Sequence, residues 1–395
     1  MKIGITGQSG FMGTHLCNFL GLQENVERIP FEDDYFKHAE KLQNWVQQCD
    51  VIVHLAAMNR HGDPQVIYDT NIRLVKQLID ALEKTRSKPH VLFSSSTQEE
   101  RDNLYGKSKK DGRALLEHWA MQNDARFTGF IIPNVFGPFG NPYYNSVVAT
   151  FCHQLTHGEK PEIHVDGELK LIYINELVEE FWNKINENPD LIRENQSDRR
   201  SRPDNYRELS GQRSIKDYKV SYTKKIKVSE ILARLESYKI NYFEKGIFPD
   251  LSDTFERNLF NTFVCYIDIK NHYPVKLKLN TDDRGSFVET VKLQSGGQVS
   301  FSTTKPGITR GNHFHIRKAE RFAVIKGKAR IQLRKIGTNE ILNFDLDGSQ
   351  PAYVDMPVWY THNITNVGDD DVYTIFWISE FFNPDDPDTY YENVE

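Results

Sequence analysis

The residues best suited to chemistry lie between Gly307 and Gly327, in the run G-I-T-R-G-N-H-F-H-I-R-K-A-E-R-F-A-V-I-K-G. His313 and His315 are two apart, so on a β-strand both project to one face. Glu320 follows after a short turn, and His362, in P-V-W-Y-T-H-N-I-T-N, can close a ring from another strand. Three imidazoles and one carboxylate suit a divalent transition metal and leave coordination positions open for a substrate. A barrel of buried, hydrogen-bonded histidines without metal is the competing reading of the same spacing.

A second constellation lies in the first half. Tyr105-Gly-Lys-Ser-Lys109 places Tyr105 and Lys109 at i and i+4, on one helix face. An ammonium beside a phenol lowers the phenol's pKa and makes proton exchange near neutral pH feasible. Ser96 ends the preceding apolar stretch, H-V-L-F-S-S-S-T, and can hydrogen-bond the same carbonyl oxygen. Such a trio donates a proton to a carbonyl as hydride arrives from a nicotinamide. A lone Y-x3-K is commonplace on exposed helices; its weight here comes from what precedes it.

What precedes it is a dinucleotide site. Lys2 to Thr6 is a short apolar strand, followed by Gly7-Gln-Ser-Gly10-Phe11-Met12-Gly13 and an apolar helix pattern. Glycines let the backbone approach a pyrophosphate, and the helix N-terminus supplies unpaired N–H donors. A second strand near Val26–Pro30 should bring Glu32 to the adenosine ribose, where a carboxylate favours NAD(H). Arg28 is close enough to favour NADP(H), so both cofactors stay open. Asp50-V-I-V-H-L-A-A, with Leu55, Ala56 and Ala57, reads as a buried strand ending in residues suited to lie against the dinucleotide. Asn71 is expected to open the next helix and to contact the cofactor, as are Tyr105, Lys109 and Asn134. Ser95, Asn145 and Ser146 are candidates for the substrate, Asn145 with a plain helix cap as its alternative.

At 395 residues the chain exceeds what one hydrophobic core normally serves. A net charge of −6 and the lack of a long basic run argue against a nucleic-acid partner. No stretch approaches the ~18 apolar residues of a membrane span, and no signal region follows Met1, so a cytoplasmic location is expected. The four cysteines are isolated, which suggests neither a disulfide framework nor a zinc knuckle. From Val275 the texture changes to short alternating segments separated by Gly, Asp and Asn, the pattern of a sandwich or barrel. The expected division is 1–245, dinucleotide-binding with a substrate lobe; 246–269, a connector; and 270–395, the barrel. Residues 188–214, rich in Arg, Asp and Ser, read as a surface insertion.

These motifs carry resemblances. G-x5-H-x-H-x4-E-x6-G resembles the first signature of the cupin barrels, and Pro357, His362 and Asn366 fit the second. Trp359 stands where that signature has glycine, so an indole is expected at the pocket mouth. The glycine trio, H-L-A-A, S-S-S and Y-x3-K resemble the extended short-chain dehydrogenase/reductases, with a Rossmann-type α/β fold, as does Pro133-Asn134-Val135-Phe136-Gly137-Pro138. Asp283-Arg284-Gly285-Ser-Phe287 and Arg310-Gly311-Asn312-His313 resemble deoxysugar epimerases that use a histidine base and a tyrosine acid. There His313 and Tyr360 are the implied pair.

The whole order resembles the bifunctional capsule-synthesis enzymes that join a short-chain reductase to a cupin epimerase. The resemblance implies C3 epimerisation of a UDP-2-acetamido-2,6-dideoxy-hexos-4-ulose and C4 reduction by Ser96, Tyr105 and Lys109 with NADPH. The product would be UDP-N-acetyl-6-deoxy-L-talosamine, a precursor of UDP-N-acetyl-L-fucosamine. It further implies zinc on His313, His315, Glu320 and His362, and a homodimer. Two readings compete: a reductase whose barrel only binds sugar or dimerises, and a non-catalytic nucleotide-sugar sensor.

Overall fold

The structure, a computed structural model, describes residues 1–187, 215–283 and 285–395. The arginine-rich stretch 188–214 and Arg284 lie outside the described residues. The chain forms two compact units, Met1–Val135 with Lys170–Lys225, and Phe136–Leu169 with Ile226–Glu395. This does not follow the linear division expected at 245 and 270. Residues 136–169 belong with the strand-rich unit, where Tyr266 donates its hydroxyl to the Gly140 carbonyl (2.7 Å) and Thr156 donates to the Tyr266 carbonyl (2.9 Å). Residues 246–269 are more than a connector: they include a helix, Thr254–Val264, buried along most of its length.

The first unit is built on a parallel sheet of six strands. Their spatial order is Glu27–Ile29, Lys2–Thr6, Val51–His54, His90–Ser96, Phe127–Ile132 and Ile215–Lys219. The central strands are buried along their length, which is why they read as continuous apolar runs rather than alternating ones. Chain order reverses on either side of Lys2–Thr6, so the crevice beyond its C-terminal end is the switch point at which such sheets take ligands. The following helices begin where local chemistry permits. Asp63 caps Pro64–Thr85 by accepting from the Gln65 N–H, with proline in the first turn. Asn71 therefore sits inside that helix and does not open it. Asn103 caps Leu104–Asn123, accepting from the Gly106 N–H at 2.7 Å.

The second unit carries two five-stranded antiparallel sheets, the expected cupin-type arrangement. One runs Val275–Lys276, Ala352–Met356, Glu320–Lys326, Val372–Ile378, Gln298–Thr304; the other runs Ile341–Asp347, Lys328–Lys335, Tyr360–Asn366, Thr309–Phe314, Tyr390–Tyr391. Their inner faces bury Ala329, Ile331, Leu333, Phe344, Val354 and Ile364. Opposite His362 lies His313, and a bulge at Gly311–Asn312, both with positive φ, re-aims the strand just before it. Among the described residues no helix is long and apolar enough to cross a membrane.

Trp359 keeps the backbone of the glycine it replaces. Its φ is +64°, yet its indole is buried and stacked on Phe314 at 5.7 Å. Phe314 lies between the two histidines and points away from them, so the indole packs behind the strand and not at the pocket mouth. The left-handed backbone costs about 1–2 kcal/mol, while removing a buried tryptophan costs about 3–5 kcal/mol. Trp359→Gly is therefore expected to lower the urea midpoint of the strand-rich unit; an unchanged or higher midpoint would show that strain dominates.

Candidate active sites

In the parallel-sheet unit, the glycine loop meets the strand end that carries Leu55 and Ala56. Gly7 has φ +69°, and a Cβ there would lie 2.9 Å from the Ala56 backbone. A Cβ on Gly13 would lie 2.2 Å from the Gly7 carbonyl oxygen, so the helix packs on the loop with no room for a side chain. Gly10 occupies the cap of the Phe11–Leu20 helix and supplies no capping side chain, which leaves the first amides of Phe11 and Met12 for an anion. Glu32 is exposed beyond the second strand. Arg28 is turned back onto the first helix, donating to the Cys17 carbonyl at 3.0 Å. Asn134 is exposed as well.

Buried polar groups brace this strand end. Thr6 meets His54 Nδ1 at 2.7 Å and accepts from the Ala56 amide at 3.2 Å. Burial, with Lys109 nearby, lowers the His54 pKa to about 3 and keeps the ring neutral. Asn71, expected at the cofactor, commits both ends of its amide elsewhere. It accepts from the Met58 amide (2.7 Å) and donates to the Met58 carbonyl and to Ser108 (3.1 and 3.0 Å). Its contribution is to hold the loop after Ala57.

Lys109 is buried and donates to the Ser94 carbonyl at 2.9 Å. Its ammonium stands 5.9 Å from the Tyr105 ring centre, and burial lowers its pKa to about 8. Ser96 ends the adjoining strand and accepts from the Gln98 amide at 3.2 Å, which leaves its hydroxyl proton to donate. Ser95, expected at the substrate, is buried and hydrogen-bonded to Glu99, which is held in turn by Arg113 at 2.8 and 3.0 Å. Asn145 is exposed and is not the helix cap; that place is taken by Ser146, which accepts from the Ala149 amide.

The strand-rich unit gathers His313, His315, Glu320 and His362, with one ligand atom of each within 4.8 Å of the others. His315 Nε2 and His362 Nε2 both stand 3.1 Å from Glu320 Oε2. All three atoms are buried and find no hydrogen-bond partner of good geometry, so three potential ligand atoms converge on one space. The opposite ring nitrogens are engaged: His315 Nδ1 by the Asp388 carbonyl, His362 Nδ1 by the Tyr360 carbonyl at 3.2 Å. An Nδ1–H held by a carbonyl directs the Nε2 lone pair inward. Donor types, convergence and outer hydrogen bonds all fit a divalent transition metal.

Burial works against ionising Glu320, yet His315 and His362 outweigh it and hold the carboxyl far below the usual carboxylate range. Burial also opposes a charge on His315, but Glu320 and the Asp388 backbone raise its pKa above the ordinary value. For His313, the least buried of the four, burial and then His362 lower the pKa to about 4. Burial raises the Tyr360 pKa, so its hydroxyl keeps its proton.

One contact near Tyr105 had no signal in the spacing. A Cβ on Gly106 would fall 2.0 Å from the Gln98 carbonyl oxygen, so the helix carrying Tyr105 can sit against the turn after Ser96 only with glycine there. Gly106→Ala is expected to lower the turnover of carbonyl reduction by about 100-fold, the scale of a small misplacement, with dinucleotide affinity nearly unchanged. Equal losses in both, measured by steady-state kinetics and cofactor titration, would count against a positioning effect.

Comparisons with known proteins agree with this two-part organisation. Residues 3–192 match the NAD dependent epimerase/dehydratase family, and residues 280–390 match the polysaccharide biosynthesis C-terminal domain. The chain is 31% identical to the Pseudomonas aeruginosa UDP-2-acetamido-2,6-beta-L-arabino-hexul-4-ose reductase over 391 residues, covering 99% of this chain and 98% of that protein. The crystal structure of the capsular polysaccharide assembling protein CapF from Staphylococcus aureus is 34% identical, with both chains fully covered and a TM-score of 0.60. The spore coat polysaccharide biosynthesis protein SpsL of Bacillus subtilis is 26% identical over 123 residues, 29% of this chain and 82% of that one. With a relative of this identity along nearly its whole length, the chain belongs to the family of the UDP-2-acetamido-2,6-beta-L-arabino-hexul-4-ose reductase.

Proposed function

We propose that the chain is a two-step nucleotide-sugar enzyme. The strand-rich unit inverts C3 of a UDP-2-acetamido-2,6-dideoxy-hexos-4-ulose, and the parallel-sheet unit reduces the C4 ketone. The product is UDP-N-acetyl-6-deoxy-L-talosamine, on the way to UDP-N-acetyl-L-fucosamine for a capsule or O-antigen. The reading includes a cytoplasmic homodimer, two-fold pairing being the commonest assembly. The observation that carries it is the near full-length correspondence to a 4-ketose reductase in a chain that also gathers His313, His315, Glu320 and His362.

A C4 ketone acidifies the neighbouring C3 hydrogen, so one electrophile serves both steps. His313, the least enclosed of the four, is assigned to proton removal at C3. An imidazole nitrogen that ligates an ion cannot also take a proton, so His315, Glu320 and His362 are the core ligand set. A divalent ion there, zinc foremost, would supply electrostatic stabilisation of negative charge developing on the substrate oxygen. Reprotonation on the opposite face, with Tyr360 the implied acid and solvent restoring its proton and taking the one held by His313, inverts the centre.

In the second step, NADPH or NADH would supply hydride to C4. Tyr105 gives its hydroxyl proton to the C4 oxygen, Ser96 donates a hydrogen bond to the same oxygen, and Lys109 supplies the neighbouring positive charge. Reduction removes the ketone, and with it the acidity that allowed C3 to exchange.

Proton NMR of the 4-keto sugar in D2O tests the order. Deuterium should enter C3 without cofactor, and adding NADPH should yield one C4-reduced product. Tyr105→Phe should slow reduction by at least about 100-fold while exchange persists, and His362→Ala should abolish exchange while reduction of the already C3-inverted ketose persists. Reduction without exchange in the unaltered protein would leave a reductase whose barrel only binds sugar or pairs subunits.

The Lys109 pKa near 8 sets a pH dependence. Reduction should weaken as pH rises through about 8, because the lysine loses the charge that assists Tyr105. Stability should move the other way. A free lysine keeps its proton to about 10.5, so between these values the unfolded chain binds more protons and folding gains with pH. Rates and thermal unfolding measured together from pH 7 to 10 separate the two; a flat rate profile would remove Lys109 from the mechanism.

A further inference from the structure

The segment Asp386–Tyr390, D-P-D-T-Y, is distant in sequence from the histidines but wraps the turn that joins His315 to Glu320. Asp388 is buried and takes a left-handed backbone, φ +40°. Its carboxylate accepts three successive amides of that turn: Ile316 at 3.1 Å, Arg317 at 3.1 Å and Lys318 at 2.9 Å. Its own carbonyl accepts His315 Nδ1–H. Its neighbours grip the same turn. Asp386 pairs with Arg317 at 3.0 Å, the buried Lys318 ammonium donates to the Pro387 carbonyl at 2.6 Å, and Tyr390 stacks on Phe314 at 5.4 Å.

We propose that Asp388 is the positioning residue of the candidate metal centre. Through its carboxylate it fixes the path from His315 to Glu320, and through its carbonyl it selects the His315 tautomer whose Nε2 faces inward. Nothing in the histidine spacing requires such a residue. A turn with three amides needs some acceptor, but water could serve at a surface. A buried carboxylate that takes all three, and whose backbone also orients a ligand, ties one residue to both donors. Asp388 makes both sets of contacts from a left-handed backbone, a conformation that Asp tolerates better than most residues. The proposal rests on reading His315, Glu320 and His362 as the metal ligands, with His313 at the same site.

Its test uses the full-length protein and zinc or cobalt ions alone. Asp388→Gly removes the carboxylate but tolerates positive φ, and Asp388→Asn keeps size and backbone while losing one acceptor oxygen. Zinc affinity is measured by competition with a chelating indicator, and coordination by the visible absorption of the Co2+-loaded protein. Both variants should bind zinc 10- to 100-fold more weakly, the scale of a lost outer-shell contact, because weakening the carboxylate's grip on the turn frees the segment that carries the His315 acceptor. The cobalt spectrum should shift, and NADPH binding should match that of the unaltered protein. Zinc affinity within threefold of the original with an unaltered cobalt spectrum would overturn the proposal and leave Asp388 a structural cap, even if the melting temperature falls. If His362→Ala leaves the zinc stoichiometry of the unaltered sequence in place, it is the ligand assignment that fails. That result is distinct from weak binding confined to the Asp388 variants.

Discussion

Three buried polar atoms converge in the strand-rich unit with no adequate hydrogen bond among them: His315 Nε2, Glu320 Oε2 and His362 Nε2. Each such atom costs about 1–3 kcal/mol if left unsatisfied, so their convergence is affordable only if a cation is the expected occupant or the surroundings leave no alternative. The surroundings are correspondingly rigid. Strand pairing sets His362 opposite His313, the Gly311–Asn312 bulge aims the latter, and Trp359, in a backbone conformation suited to glycine, donates its amide to the His315 carbonyl at 2.8 Å.

The same strand is anchored on its other face. Arg321, next to Glu320, makes a two-pronged pair with Asp355 at 2.6 and 2.8 Å and donates to the Gly246 carbonyl at 3.0 Å. Asp355 also accepts from Tyr242 at 2.7 Å. Buried pairs of this kind contribute more to a unique arrangement than to net stability, since desolvation offsets much of the attraction. Here the network binds residues 242–246 to the Glu320 strand, which is why this stretch folds with the barrel rather than behaving as a linker.

The parallel-sheet unit follows another logic. Its polar groups at the strand ends are mostly committed: Asn71 to Met58, Ser95 to Glu99, His54 to Thr6. Against that fixed background Tyr105 and Ser96 are half-buried, which suits the substrate contact proposed for them. Lys109 is held at the back by the Ser94 carbonyl, where a charge is felt but not solvated.

The features legible in the sequence were those set by local periodicity. Gly7 to Gly13 between a strand and a helix, Tyr105 and Lys109 one helical turn apart, and His313 and His315 on one strand face all follow from repeats of 3.6 and 2. Both fold classes were legible for the same reason. Spacing could not say which polar residues would be consumed as scaffolding, so Asn71 and Ser95 read as ligand contacts until packing assigned them elsewhere. Nor could it place the Trp359 indole, which depends on the face Phe314 turns outward. Asp388 lies 73 residues from the histidine it orients. The chain by itself determined which side chains can do the chemistry. Only the tertiary structure decided which of them meet, because strand register, burial and long-range hydrogen bonds are properties of segments brought together and of no segment alone.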